Sequence, residues 1–126
     1  MLIDEQQNIK VIDFGFCESC GPTKRLNLFC GTPHYMDPDI SAKREYLGQA
    51  SDIWALGVML FILNVGKLPF FAEFEADLYR KIRRGRYDLP KTCSLELKDL
   101  LEKLLQPVSV KRATAKEILK HKWFET

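Results

Sequence analysis

The spacing of apolar residues changes character near residue 50. Before it, Leu2-Ile3 and Ile9-Lys10-Val11-Ile12 are short apolar runs separated by the polar stretch Asp4-Glu5-Gln6-Gln7-Asn8. That pattern predicts two strands joined by a longer hairpin loop. Residues 13–50 show no period and carry Gly15, Gly21, Gly31, Gly48, Pro22, Pro33 and Pro38, which predicts an irregular connection. Connections of that length in a folded domain usually carry function.

From Ser51 onward the period is helical. Ser51 is placed to cap a helix, and Asp52 suits a positive first turn. The helix should reach about Val65 and stop at Gly66, with Pro69 beyond. Its Ile53–Leu63 run of 11 residues is apolar on nearly every side. This predicts a central buried helix, well short of the roughly 20 residues of a membrane span. A second helix is expected over about Glu75–Arg84, ended by Gly85. A third starts at Ser94, and its Leu97, Leu100, Leu101, Leu104 and Leu105 follow the i, i+3, i+4, i+7, i+8 spacing of one buried face. Thr114-Ala115-Lys116-Glu117 forms a capping box opening a last helix over Thr114–His121. The chain therefore reads as mainly α with a small N-terminal hairpin (α+β), without repeats or low-complexity segments.

Composition narrows the classes. At 46% hydrophobic residues the chain is too apolar to be disordered. Lys plus Arg number 19 and Asp plus Glu 17, a net charge of +2, so the whole chain makes no case for nucleic acid or a membrane as partner. Met1-Leu2-Ile3-Asp4-Glu5 lacks the basic and apolar regions of a secretory signal. A cytoplasmic location is expected, with the nucleus open. The four cysteines, Cys17, Cys20, Cys30 and Cys93, read as reduced thiols. The Cys17-x-x-Cys20 pair lacks the second pair of ligands a structural zinc site needs. The cluster Arg80-Lys81-Ile82-Arg83-Arg84-Gly85-Arg86 reads first as the solvated face of a surface helix, and a docking surface is its functional alternative.

Chemistry enters with Asp13-Phe14-Gly15. A carboxylate at the end of a strand can hold a hard cation such as Mg²⁺, and the glycine lets the backbone turn sharply. Alone, the tripeptide would be a strand-end turn. It is followed in order by Cys30-Gly31-Thr32-Pro33-His34-Tyr35-Met36-Asp37-Pro38-Asp39, by Ser51-Asp52-Ile53-Trp54-Ala55-Leu56-Gly57, by Gly66-Lys67-Leu68-Pro69-Phe70, by Lys111-Arg112-Ala113-Thr114 and by His121-Lys122-Trp123-Phe124. This succession resembles the C-terminal lobe of eukaryotic protein kinases from the magnesium-binding loop to the final helix, over essentially the whole chain. The Gly-Thr-Pro-x-Tyr wording is similar to the Ser/Thr class, and the wider wording to the calcium/calmodulin-dependent and AMP-activated kinase group.

The resemblance implies roles. Residues 1–15 would be the hairpin and Asp-Phe-Gly motif, 16–39 the activation segment and 40–126 the helical lobe. Asp13 would bind the Mg²⁺ that bridges the phosphates of ATP. Phe14 would pack into the core. Leu2, with Ile12, would lie on the nucleotide side, Leu2 flooring the adenine pocket. Phe16, Gly31, Thr32 and Pro33 would face the protein substrate, Phe16 marking a preference for Ser and Thr32 sitting beside the catalytic loop. Asp52 would brace that loop from the first turn of the central helix. Arg112 would pair with the acid of the Ala-Pro-Glu motif, here Asp39.

Three departures accompany the resemblance. The family's Gly-rich loop, strand Lys, partner Glu, catalytic-base Asp and catalytic-loop Asn would all lie before Met1. The missing N-terminal half is thus an implied partner, and the chain alone is expected to be inactive. Ala-Pro-Glu reads Asp37-Pro38-Asp39, one methylene shorter at the acid and charged where the family packs a small residue. Leu28 stands where related kinases carry an activating Thr. Two functions follow: part of a phosphoryl-transfer enzyme, or a kinase-like module that docks partners without catalysis.

Overall fold

The computed structural model describes residues 1–125. It opens with strands β1 (Leu2–Ile3) and β2 (Ile9–Lys10), antiparallel with Leu2 opposite Lys10 and Ile3 opposite Ile9. The loop between them is tied by Asp4, whose Oδ1 accepts from the backbone N–H of Gln6 at 3.0 Å and of Asn8 at 2.8 Å. The Asn8 backbone bond, foremost, lowers the Asp4 pKa, since it favours the charged carboxylate. The hairpin is where the apolar runs predicted it.

The stretch expected to be irregular holds more order than its glycines and prolines suggested. Strand β3 (Arg25–Leu26) pairs antiparallel with β4 (Tyr46–Leu47), and a short helix α1 (Pro38–Ser41) lies between them in sequence. Leu26 packs against the main core, so Glu18–Asn27 is anchored at one end. A two-residue strand is below the length at which a period can be read, and its partner lies about twenty residues away.

Helix α2 runs Gly48–Val65 and ends on Gly66 in the left-handed region at φ 77°. It starts three residues before the expected cap at Ser51, because β4 passes directly into it and Leu47 occupies the cap position without a side-chain bond. Gly48 permits that handover: a Cβ there would lie 2.9 Å from Cys20 Sγ and 3.0 Å from Leu26 Cδ1. Trp54, Val58 and Phe61 are fully enclosed, yet Leu63 is 75% exposed. The helix is thus buried along one broad face rather than all round. At 18 residues and mean hydropathy 1.3 it is long and apolar enough to cross a membrane by length and composition. In this fold its buried face packs against neighbouring helices.

Helix α3 (Glu75–Arg84) ends on left-handed Gly85, and α4 (Leu95–Leu104) is capped by Ser94, whose Oγ accepts from Leu97 N–H at 3.1 Å. The expected leucine face is the buried one: Leu97, Leu100, Leu101, Leu104 and Leu105 are all enclosed. The last helix, α5, is shorter than expected at Ala115–Ile118, but its Thr114/Glu117 capping box is formed in both directions. Beyond it, the Trp123 backbone N–H donates to His121 Nδ1 at 3.2 Å, which leaves His121 Nε2–H to donate to Asp99 Oδ2 at 2.8 Å.

The main core joins Trp54, Val58 and Phe61 of α2 to Phe70, to Leu78 and Ile82 of α3, and to Leu97 and Leu101 of α4. Trp54 stacks on Phe70 with centroids 5.5 Å apart, and Tyr87 meets Phe61 edge-on at 5.5 Å. Gly57 is where α2 meets α4: a Cβ there would lie 2.8 Å from Leu104 Cβ and 2.9 Å from Leu105 Cδ2.

Gly57→Ala sets two effects against each other. Helix propensity favours Ala by about 0.5–1 kcal/mol, whereas overpacking a filled core costs about 1–3 kcal/mol. The contact is with a Cβ rather than a flexible side-chain end, so packing should win, with a net loss of about 1–2 kcal/mol. Urea unfolding reads this directly, and a midpoint that rises would count against the close crossing.

Candidate active site and its buried ion pair

Asp13 stands just past β2 with φ 64°, a left-handed conformation that Asp tolerates better than most residues. Its Oδ1 faces the Gly15 N–H at 3.4 Å, and the Cys17 N–H donates to the Phe14 carbonyl at 3.0 Å, closing a tight turn. The carboxylate is exposed. Among the described residues no group of three or more His, Cys, Asp or Glu is placed to hold a metal. Mg²⁺ is commonly held by one or two carboxylates, with substrate phosphates and waters completing the shell. One open carboxylate fits that role and does not fit a self-sufficient metal cage.

Phe14 departs from expectation. It is 65% exposed rather than packed into the core. Leu2 and Ile12 are exposed as well, and neither hydrophobic cluster includes them. The hairpin pairs with itself, and neither core cluster reaches back to it, so nothing among the described residues buries these side chains.

Thr32 precedes a single 3₁₀ turn, Pro33–Tyr35; its carbonyl accepts the Tyr35 N–H at 3.0 Å and its hydroxyl caps nothing. Gly31 has φ 105°, where a side chain would be strained. His34 stacks on Phe71 at 6.3 Å, which ties this turn to the segment following α2. Phe16 is exposed, and the Leu28 carbonyl accepts the Tyr46 hydroxyl at 3.0 Å. Asp52 lies one turn deeper in α2 than expected, because the helix begins at Gly48. Its carboxylate makes no hydrogen bond among the described residues, and partial desolvation by surrounding protein raises its pKa although much of the residue reaches solvent. No hydrogen bond or ion pair joins Asp13, Thr32 and Asp52 among the described residues.

The structural pair is real, but its acid is not Asp39. Arg112 NH1 meets Asp37 Oδ2 at 3.1 Å, with both side chains fully enclosed. Asp37 is also the N-cap of α1, its Oδ1 accepting from Ile40 N–H at 2.9 Å. Asp39 is only half-buried and forms no bond to Arg112; it acts on the guanidinium at longer range. The reason is local. Asp-Pro is a strong helix start, with Asp at the cap and Pro at the first helical position. That geometry aims the Asp37 carboxylate inward, while Asp39, on the first turn and one methylene shorter than Glu, does not reach. Sequence reasoning treated Asp37 as a misplaced charge; the Asp-Pro cap signature was the clue to its role.

Arg112 spends its other donors on carbonyls: Nε to Gln106 at 2.9 Å and NH1 to Ala50 at 2.6 Å. Its guanidinium lies 5.0 Å from the Trp54 ring centroid. Burial pulls its pKa down, and the Asp37 charge opposes that.

The chain as a whole has counterparts among known proteins. The family described as "Protein kinase domain" matches residues 1–124. The chain belongs to the protein kinase family. Its relatives place it with the Ser/Thr kinases. It is 38% identical to "Probable serine/threonine-protein kinase MARK-A" of Dictyostelium discoideum over 100% of this chain and 12% of that protein. It is 39% identical to "CBL-interacting protein kinase 19" of Oryza sativa subsp. japonica over 99% of this chain and 25% of that protein. It is 41% identical to "Maternal embryonic leucine zipper kinase" of Xenopus laevis over 98% and 19% respectively. The chain therefore spans between about an eighth and a quarter of these relatives' lengths. In this structure the partner of Arg112 lies two residues N-terminal of the expected Asp39.

The relocation separates the two acids experimentally. Asp37→Ala strands a buried guanidinium and removes a helix cap, so it should cost about 3–5 kcal/mol. Asp39→Ala should cost less than about 1 kcal/mol. Denaturant melts of the two variants distinguish them, and a larger loss at Asp39 would restore the family pairing.

Proposed function

We propose that the chain forms part of the C-terminal lobe of a protein serine/threonine kinase, transferring the γ-phosphoryl group of ATP to Ser or Thr of a protein substrate. The observation that carries this is the exposed carboxylate of Asp13 in its tight turn, in a segment whose apolar residues Leu2, Ile12 and Phe14 are also exposed. That is one wall of a nucleotide cleft. When bound, Mg²⁺ neutralises phosphate charge, and Asp13 supplies an oxygen to hold it. Leu2 and Ile12 offer apolar surface to an adenine ring. Phe16, Gly31, Thr32 and Pro33 line the approach of the substrate segment, with Gly31 allowing the backbone its reversal. Asp52 orients the catalytic loop, and Leu28 removes the usual activating phosphorylation. Protein substrate is the partner class, and the apolar hairpin packs against the part of the domain that supplies the nucleotide Lys and the base Asp. The setting is cytoplasmic.

Phosphoryl transfer depends on positioning and electrostatic stabilisation. Residues 1–126 by themselves lack the groups that orient the nucleotide and accept the hydroxyl proton. General-base catalysis alone is worth about 10²–10⁴-fold. The 126 residues alone should show no turnover with Mg-ATP and a Ser peptide. Joined to the N-terminal lobe and catalytic loop of a Ser/Thr kinase relative, they should phosphorylate that peptide, with Asp13→Ala lowering the rate by at least about 10²-fold. A soluble chimera that is inert, beside an active parent domain, would favour the docking module instead. Turnover by the isolated chain that vanishes in Asp13→Ala would overturn the dependence on the other half.

A further inference from the structure

Helices α2 and α3 both end on left-handed glycines, Gly66 and Gly85, and the chain leaving each turns along the same hollow. The hollow has a volume of about 710 Å³. Lys67, Lys81, Arg84 and Arg86 line it, and Asp88 is the lone carboxylate of the lining.

The neighbouring cations divide by position. Arg80, outside the hollow, pairs with Asp77 at 2.7 Å, and Arg83, also outside, donates to the Ser41 carbonyl at 3.4 Å. Inside, Lys81 Nζ donates to the Phe71 carbonyl at 2.7 Å and keeps two further N–H donors. Lys67, Arg84 and Arg86 have no hydrogen-bond or ion-pair partner among the described residues.

Cations at helix C-termini complement the helix dipole, which accounts for part of this charge. Two C-termini contribute about −0.5 each. Four cations less one carboxylate give +3, so about +2 remains after both dipoles are offset. A single carboxylate would leave half of that uncompensated. A phosphate ester carries about −1.5 to −2 and three acceptor oxygens, which suit converging guanidinium and ammonium donors. The wall also contains Leu68, Pro69 and the 64% exposed Phe71, apolar surface for residues flanking the charge. Phe71 already has His34 on one face, so it is not open to sandwich a nucleobase.

We propose that the hollow between the ends of α2 and α3 binds a phosphorylated side chain on an extended segment of a protein partner. The proposal rests on the lining alone and is independent of whether the chain takes part in catalysis.

The test uses the full chain and a fluorescent peptide carrying one phosphoserine between apolar residues, read by anisotropy. The phosphopeptide should bind at least about tenfold tighter than its unphosphorylated form. Arg84→Gln and Arg86→Gln, both at exposed positions, should each weaken binding by about tenfold with unchanged melting temperature. Arg80→Gln, from the same basic run but outside the hollow, should change it by less than about twofold. Equal binding of both peptides, or equal losses for Arg80→Gln and Arg84→Gln, would show undirected surface charge and overturn the site. Inorganic phosphate at the peptide's concentration should not displace it. Displacement by phosphate, or Arg84-dependent retention on phosphatidylserine vesicles in place of peptide binding, would show that a protein segment is not the ligand.

Discussion

The Arg112 guanidinium has been taken out of water, and a buried carboxylate together with hydrogen bonds to backbone carbonyls offsets that cost. The partners that satisfy it come from separate stretches of chain: the Asp37 cap of α1, the Ala50 carbonyl in the first turn of α2, the Trp54 ring and the Gln106 carbonyl after α4. The cation therefore fixes the start of α1 against the start of α2 and the segment after α4, and α3 packs onto α1 from outside. The carboxylate that neutralises Arg112 is the same one that caps α1. Capping and charge pairing are inseparable here, which ties the start of α1 to the helical core.

The two ends of the molecule contrast in how their apolar residues are used. From α1 onward, leucines and aromatics find one another. In the hairpin and through Phe16 they remain exposed. An antiparallel pair of two-residue strands buries almost nothing by itself, so this region gains its shape from backbone bonds and the Asp4 loop, and its side chains stay available to another surface. The same region carries the exposed carboxylate of Asp13. The basic hollow sits elsewhere, between the ends of α2 and α3, and owes its charge to residues that helix dipoles only partly compensate.

Local rules carried a large part of the fold. The hairpin, the Glu75–Arg84 helix with its glycine stop, the Ser94 cap, the five-leucine face and the Thr114/Glu117 box are all encoded within a few residues of one another, and all are present. The kinase relationship was equally legible, because it rests on the order of short motifs. Where the reading failed, the missing information was non-local. Strands β3 and β4 are each two residues long and stabilise each other across the chain. The earlier start of α2 depends on a strand feeding into it and on Gly48 lying against Cys20 and Leu26.

Sequence alone thus determined the helix order, the buried leucine face of α4 and the family, since these follow from periodicity, capping chemistry and motif succession. Tertiary structure alone decided which aspartate meets Arg112, because a carboxylate's reach depends on the direction in which its helix start aims it. It decided that Phe14 is uncovered, because burial depends on what lies opposite. It also decided which arginines of one basic run are paired and which line a common hollow, because the ends of two successive glycine-ended helices had to be brought side by side before their charges could add.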